Sequence, residues 1–261
     1  MKKAAHIGIL KDRKGCNVLG DRDLTVVQHL EELRKRLMYT VAAFVLFFIV
    51  GFIFIKDIYR WFVRDIEFQL TVLGPTEIIW IYFALATVIA VTGMVPVLVS
   101  QVWLFVKPAL NKMEQRTTLM YIPASFILFV AGLAFGYFIV FPVVLGFLIE
   151  LSGDMFQLTF TTQKYFTFLL RMTIPFAVLF ELPVVIMFLT SLGLINPVKL
   201  KKVRKYAYFV LVVVSVIISP PDFLSDILVI VPLLLLYELS IMLSGFVYRR
   251  KQRKLKKLYE E

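Results

Sequence analysis

The chain has 261 residues, 60% of them apolar, with a mean hydropathy of +0.84 and a formal net charge of +11. Its apolar residues fall in long blocks between short charged connectors, which excludes a soluble domain, whose helices need polar residues along their whole length. The basic residues crowd into 1–36, 193–205 and 248–261, without aromatics interleaved in a foldable unit, so nucleic acid is not an expected partner. Cys16 is the only cysteine, which excludes an intramolecular disulfide and a cysteine-based metal site; no cofactor is expected.

In chain order, residues 1–23 read as a flexible leader without a cleavable signal peptide, since the first apolar run begins only after Arg36 and is long enough to span. Thr25 and Gln28 have capping-box spacing, and Leu24, Val27, Leu30, Leu33 and Leu37 make an amphipathic helix leading into the first span. Apolar blocks follow at Leu37–Ile55, Ile78–Val102, Leu119–Val144, Tyr165–Leu192, Tyr206–Ser219 and Phe223–Tyr237. The first four reach the ~20 residues that cross a bilayer, while the last two, at ~14–15, are short and joined by the tight turn Ser219-Pro220-Pro221-Asp222. Between spans one and two, Ile58, Trp61, Phe62 and Ile66 predict a surface-lying amphipathic segment, ended by Gly74-Pro75 with Thr76 capping span two. Prolines 96, 123, 142, 175, 183 and 232 sit in or at the ends of spans and favour kinks. The expected fold is all-α: a membrane domain over 24–247, six helices in a concave bundle, then a basic tail over 248–261.

Lysine and arginine set the orientation. The segments on the N-terminal side of the six-span arrangement hold 24 of them, and those on the other side hold 4. By the positive-inside rule both termini are cytoplasmic.

Few residues offer chemistry. Arg171 and Glu181 lie inside span four, some 15 Å apart along the helix, too far to pair. Glu181 reads either as a carboxyl bonded to a neighbouring helix or as one facing a polar groove. Glu32 and Arg36 have i,i+4 spacing, and Glu31 and Arg34 i,i+3 spacing, as on a solvated helix face. Glu114 stands three residues after Asn111, again with capping-box spacing. Glu238 reads as interfacial. The two histidines, His6 and His29, are both in the leader, and no H-E-x-x-H or G-x-S-x-G motif occurs, so catalysis is not expected.

Four segments in this order resemble the TatC family: His29-Leu-Glu-Glu-Leu-Arg34-Lys-Arg36-Leu, Gln101-Val-Trp-Leu-Phe105-Val-Lys-Pro-Ala-Leu, Phe180-Glu181-Leu-Pro183 and Ser219-Pro-Pro-Asp222. The resemblance implies a subunit of the Sec-independent protein translocase in the cell membrane, a receptor for twin-arginine signal peptides of folded precursors. It implies assembly with single-span TatA/TatB-type subunits and other TatC copies among membrane lipids, driven by the proton-motive force. It assigns Glu32 and Glu114 to the signal's two arginines, with Arg34, Phe105 and Arg116 shaping the site, and turns Glu181 into the bundle's concavity. It places partner helices at Val216, Ile217, Asp222, Leu224 and Asp226, the last standing where the family pattern often has Gln. The alternative is a secondary transporter of a small solute, which would need midplane polar groups from several helices, where this chain offers essentially Glu181 and Arg171 from one. A scaffold without a transport role would tolerate free replacement of Glu32 and Glu114.

Overall fold

A computed structural model describes residues 26–64, 66, 69–107, 110, 115, 118–153, 159–219 and 223–260. Five of its helices are long and apolar enough to cross a membrane: Leu30–Ile53, Pro75–Val106, Tyr121–Ser152, Thr162–Ser191 and Ser225–Arg253. A further apolar helix, Arg204–Ile218, has 15 residues. In chain order these five are termed spans one, two, three, four and six, and Arg204–Ile218 takes the position expected for the short span five. The leader, including Thr25, lies outside the described residues; span one's helix begins at Val26.

Two expectations about ends need correcting. The helix of span six runs from Phe223 to Glu260, 38 residues, rather than stopping near Tyr237. Glu238 interrupts the apolar pattern there, but its carboxylate receives Arg204 Nη2 at 2.7 Å and the Tyr208 hydroxyl, so the helix carries it through and continues into the basic tail. Span two is N-capped by Gly74 with Pro75 in the first turn, so Thr76 is already helical and caps nothing. Pro75 fits because the first helical N–H has no acceptor to lose.

Interruptions fall where proline dictates. Span three is α-helical over Tyr121–Phe135, widens to a π turn over Gly136–Val140, and resumes at Phe141 with Pro142 in the new first turn. Proline lacks the N–H that would bond back along the α ladder, and a π turn absorbs that loss. Span four breaks the same way at Phe180-Glu181, with Pro183 opening its second half. It ends just before Gly193, whose φ of +80° lets Gly193 N–H and Leu194 N–H bond back to the carbonyls of Thr190 and Leu189.

Packing is organised around span four, which touches spans two, three, five and six, while span one runs along span two. The spans meet at small residues. A Cβ on Gly132 would lie 2.7 Å from Ala177 Cα, and one on Gly136 2.7 Å from Thr173 Cα, so these glycines, one helical turn apart, set the closest approach of spans three and four. Spans four and six are joined by Thr190 and Ser244, both buried, with hydroxyl oxygens 2.8 Å apart.

The end of the bundle at the connectors between spans one and two and between spans three and four is closed by aromatics. The expected surface helix forms over Ile55–Val63, although Ile66 lies beyond it, and the chain then runs to Gly74 without a helix in the described residues. Trp61 and Phe62 stack against Tyr137 of span three, and Tyr59 against Phe166 of span four. Burial there, with Tyr82 nearby, raises the Tyr59 phenol above its ordinary pKa. A parallel bridge ties this connector to the start of span four: Thr71 N–H donates to Phe160 O at 3.0 Å, and Thr162 N–H to Thr71 O at 2.9 Å. The Thr161 hydroxyl then caps span four by accepting from Lys164 N–H.

Candidate functional site

At the N-terminal end of span one, the helical repeat places Glu32 and Arg36 on one face, and Arg36 Nη2 donates to Glu32 Oε1. Both are partly covered, the Glu32 side chain 28% and the Arg36 side chain 19% exposed. One turn on, the buried Thr40 hydroxyl donates to the Arg36 carbonyl at 3.1 Å. Arg34 is exposed. Glu32 is thus a partly exposed carboxylate already engaged by a guanidinium.

The described part of the connector between spans two and three has its own polar contacts. Trp103, buried, donates its indole N–H to Thr118 Oγ1 at 2.8 Å, and the Lys107 ammonium lies 5.4 Å from the centre of the Trp103 ring. Gln115 donates from Nε2 to the carbonyls of Lys107 and Leu110, at 3.1 and 3.0 Å. Phe105 is half-buried on the last turn of span two. Glu114 and Arg116, with Asn111, lie outside the described residues. Trp103, Gln115 and Thr118 therefore tie together the described ends of this connector. Sequence reasoning passed over all three, because their pairing crosses the loop and shows no periodic signal.

Deeper in the bilayer, Glu181 N-caps the second half of span four by position, not by a side-chain bond. The buried Ser125 hydroxyl of span three donates to Glu181 Oε1 at 3.2 Å. The bond to a neighbouring helix, one of the two readings of Glu181, is present, and the carboxyl remains only half-buried. An apolar groove of about 240 Å³ lies between spans two, three and four, with Val91, Phe129 and Ile174 on its walls. Phe129 and Ile174 stand one turn from Ser125 and two turns from Glu181, so the polar pair lies at one end of the groove. Arg171 is exposed.

Near the end of span five, Val216 and Ile217 are exposed, 51% and 77%. The Asp226 side chain accepts from the Ser219 hydroxyl, and its carbonyl from Ser215 Oγ at 3.3 Å, which closes spans five and six on each other. Asp222 lies outside the described residues, and Leu224 is described for its helical backbone only. Among the described residues no group of three or more His, Cys, Asp or Glu could hold a metal ion.

Comparison with known proteins gives this arrangement its context. Residues 28–232 match the family described as Sec-independent protein translocase protein (TatC). The chain is 51% identical over 232 residues to Sec-independent protein translocase protein TatCd of Bacillus subtilis (strain 168), covering 89% of this chain and 96% of that one. It is 43% identical over 234 residues to TatCy of the same organism, covering 88% and 92%. Among solved structures it resembles the crystal structure of a twin arginine translocase receptor, TatC, with a TM-score of 0.73 and 33% identity, over 84% of this chain and 99% of that one. With its apolar helices, its kinked third and fourth spans and a match over nearly its whole helical domain, the chain is a multi-pass membrane protein and belongs to the TatC family of Sec-independent protein translocase components.

Proposed function

We propose that the chain is the receptor subunit of a twin-arginine translocase in the cell membrane, with both termini cytoplasmic. Glu32 and Glu114 receive the two arginines of a precursor's signal peptide, and Arg34, Phe105 and Arg116 shape the surface around them. The observation that carries this reading is the Glu32–Arg36 pair, a carboxylate that already holds a guanidinium in a partly exposed setting. A signal arginine has the same planar fork of donors, so it can share or exchange that carboxylate, and charge-assisted bonds of this kind are the strong ones. A lysine presents a point charge and matches it less well.

The rest of the chain has a place in the same scheme. Glu181, with the apolar groove beside it, would face an inserted apolar segment in the concavity of the bundle. Single-span partner subunits would dock along spans five and six, where Val216 and Ile217 are bare, near Asp222, Leu224 and Asp226. Because Asp226 is engaged by Ser219, a partner contact there would compete with an existing bond. Further copies of the chain complete the assembly, and the proton-motive force drives transport. The scheme gives the chain no catalytic step. Small-solute transport is the weaker reading: Glu181 is half-buried against Ser125, and the other intraspan ion, Arg171, is on the same span and exposed.

Binding of a twin-arginine signal peptide to the detergent-solubilised chain tests this, beside its twin-lysine version and the Glu32→Ala/Glu114→Ala variant. Arginine-selective binding is expected, weakened at least about tenfold in the variant, the scale for losing hydrogen bonds to a charged group. Undiminished binding in a folded variant would return both glutamates to helix-surface roles. Equal binding of both peptides would remove the receptor reading.

A further inference from the structure

The inner ends of spans four, five and six share a basic surface assembled from two distant segments. After Gly193 the chain enters the short helix Pro197–Lys202, capped by Asn196, whose side chain accepts from Lys199 N–H at 2.7 Å. Leu200 is buried, and its carbonyl accepts the Tyr237 hydroxyl at 3.1 Å, which holds the short helix against span six. Lys251 Nζ, on the continuation of span six, donates to the Ser191 carbonyl at 2.8 Å, near the end of span four, where helix carbonyls lack partners along the helix. These ties bring Lys199, Lys201, Lys202 and Lys205 to the same end of the bundle as Arg249, Arg250 and Arg253, and all seven are exposed.

Among the described residues no acid forms an ion pair with any of the seven. Between residues 182 and 253 the acids are Asp222, Asp226 and Glu238. Asp226 stands in the first turn of span six, at its other end, Asp222 lies outside the described residues, and Glu238 is engaged by Arg204 and Tyr208. A second feature accompanies the charge. Leu194, Val198, Val203 and Tyr206 are exposed among the lysines, at 63%, 69%, 45% and 76%. A small free anion gains nothing from bare leucine and valine beside a lysine, and a basic signal peptide is repelled by seven cations. A lipid satisfies both features, with apolar side chains in the acyl region and cations at the headgroups.

We propose that the connector from Gly193 to Lys205 and the basic continuation of span six together form a binding surface for anionic phospholipids of the leaflet at this face. It fixes the ends of spans four and six against that leaflet, independently of any signal-peptide site. The test counts lipids retained by the purified full chain after exchange into detergent with phosphatidylglycerol or phosphatidylcholine, read by native mass spectrometry. Phosphatidylglycerol is expected to be retained about tenfold in excess, falling as salt is raised, as cations near a charged membrane surface require. The preference should fall towards parity in Lys199→Gln/Lys201→Gln/Lys202→Gln/Lys205→Gln and, separately, in Arg249→Gln/Arg250→Gln/Arg253→Gln. It should persist in Lys56→Gln/Arg64→Gln, at the other end of the bundle, and in the presence of inorganic phosphate. Helical circular dichroism and elution volume qualify each variant as folded, and the wild-type comparison of the two lipids needs no variant. Parity in the wild type, an unchanged preference in the folded variants, an equal loss from the opposite end, or displacement by inorganic phosphate would each overturn the proposal.

Discussion

Spans one and four have the same mean hydropathy, yet the protein treats them differently. Only 11% of the apolar window of span one is buried, against 39% for span four. Hydropathy places both helices in the bilayer but does not bring them together, since lipid tails are as apolar as leucine. Association follows from how closely backbones approach and how many neighbours a helix has. Span four is approached by Gly132 and Gly136 on one side and by the Ser244 hydroxyl on another, whereas span one lies along span two. The packed half of the molecule is a frame, and span one is a helix held against one side of it.

The largest effect that would break this contrast is expected at Gly132. A Cβ there meets Ala177 Cα at 2.7 Å and Phe176 O at 2.9 Å, and backbone atoms cannot swing aside as a side-chain end can. Gly132→Val should therefore lower the stability of the detergent-solubilised chain by about 3 kcal/mol, the upper range for overpacking. Thermal unfolding followed by tryptophan fluorescence or circular dichroism checks this. An unfolding midpoint unchanged from the wild type would show that spans three and four do not pack at this distance.

A smaller effect is expected where spans four and six meet. Thr190 and Ser244 are buried with their hydroxyls 2.8 Å apart, and Thr190 also donates to the Ile186 carbonyl. A double-mutant cycle with Thr190→Val and Ser244→Ala should return a coupling of about 0.6 kcal/mol, the usual size for a hydrogen bond between membrane helices. Strict additivity would mean that van der Waals packing alone holds the two spans.

The sequence shows the spans because charge and proline punctuate them. The apolar block of span four was read to Leu192, and the helix ends one residue earlier, at Ser191, with Leu192 as its C-cap and the left-handed Gly193 just beyond. The Glu32–Arg36 pair was likewise visible, because i,i+4 spacing fixes it without tertiary information. Long-range pairing was not visible. Glu238 looked like the end of span six only until Arg204 and Tyr208 are brought to it by the fold. Trp103 and Thr118 meet across a loop, and Gly132 and Gly136 face span four rather than lipid for reasons that lie in span four. A glycine in a long apolar run reads the same on either face.

The smallest effect concerns the exposed helices, and it separates two causes of exposure. Leu46 on span one is 60% exposed and Ile217 on span five 77% exposed. Leu46→Ala and Ile217→Ala should each change the stability of the isolated chain by less than about 0.5 kcal/mol, because neither leaves a cavity and lipid or detergent replaces the lost contacts. A cost of 2 kcal/mol or more, the scale of a Leu→Ala cavity, would show that the side chain is covered in the isolated chain, most simply by a second copy. The two sites should part company once a partner is present. If single-span subunits dock along spans five and six, Ile217→Ala lowers their co-purification with the chain while Leu46→Ala does not. Equal retention of the partner in both variants would make the bare face of span five a lipid-facing surface like that of span one, and partner docking would have to be sought elsewhere on the bundle.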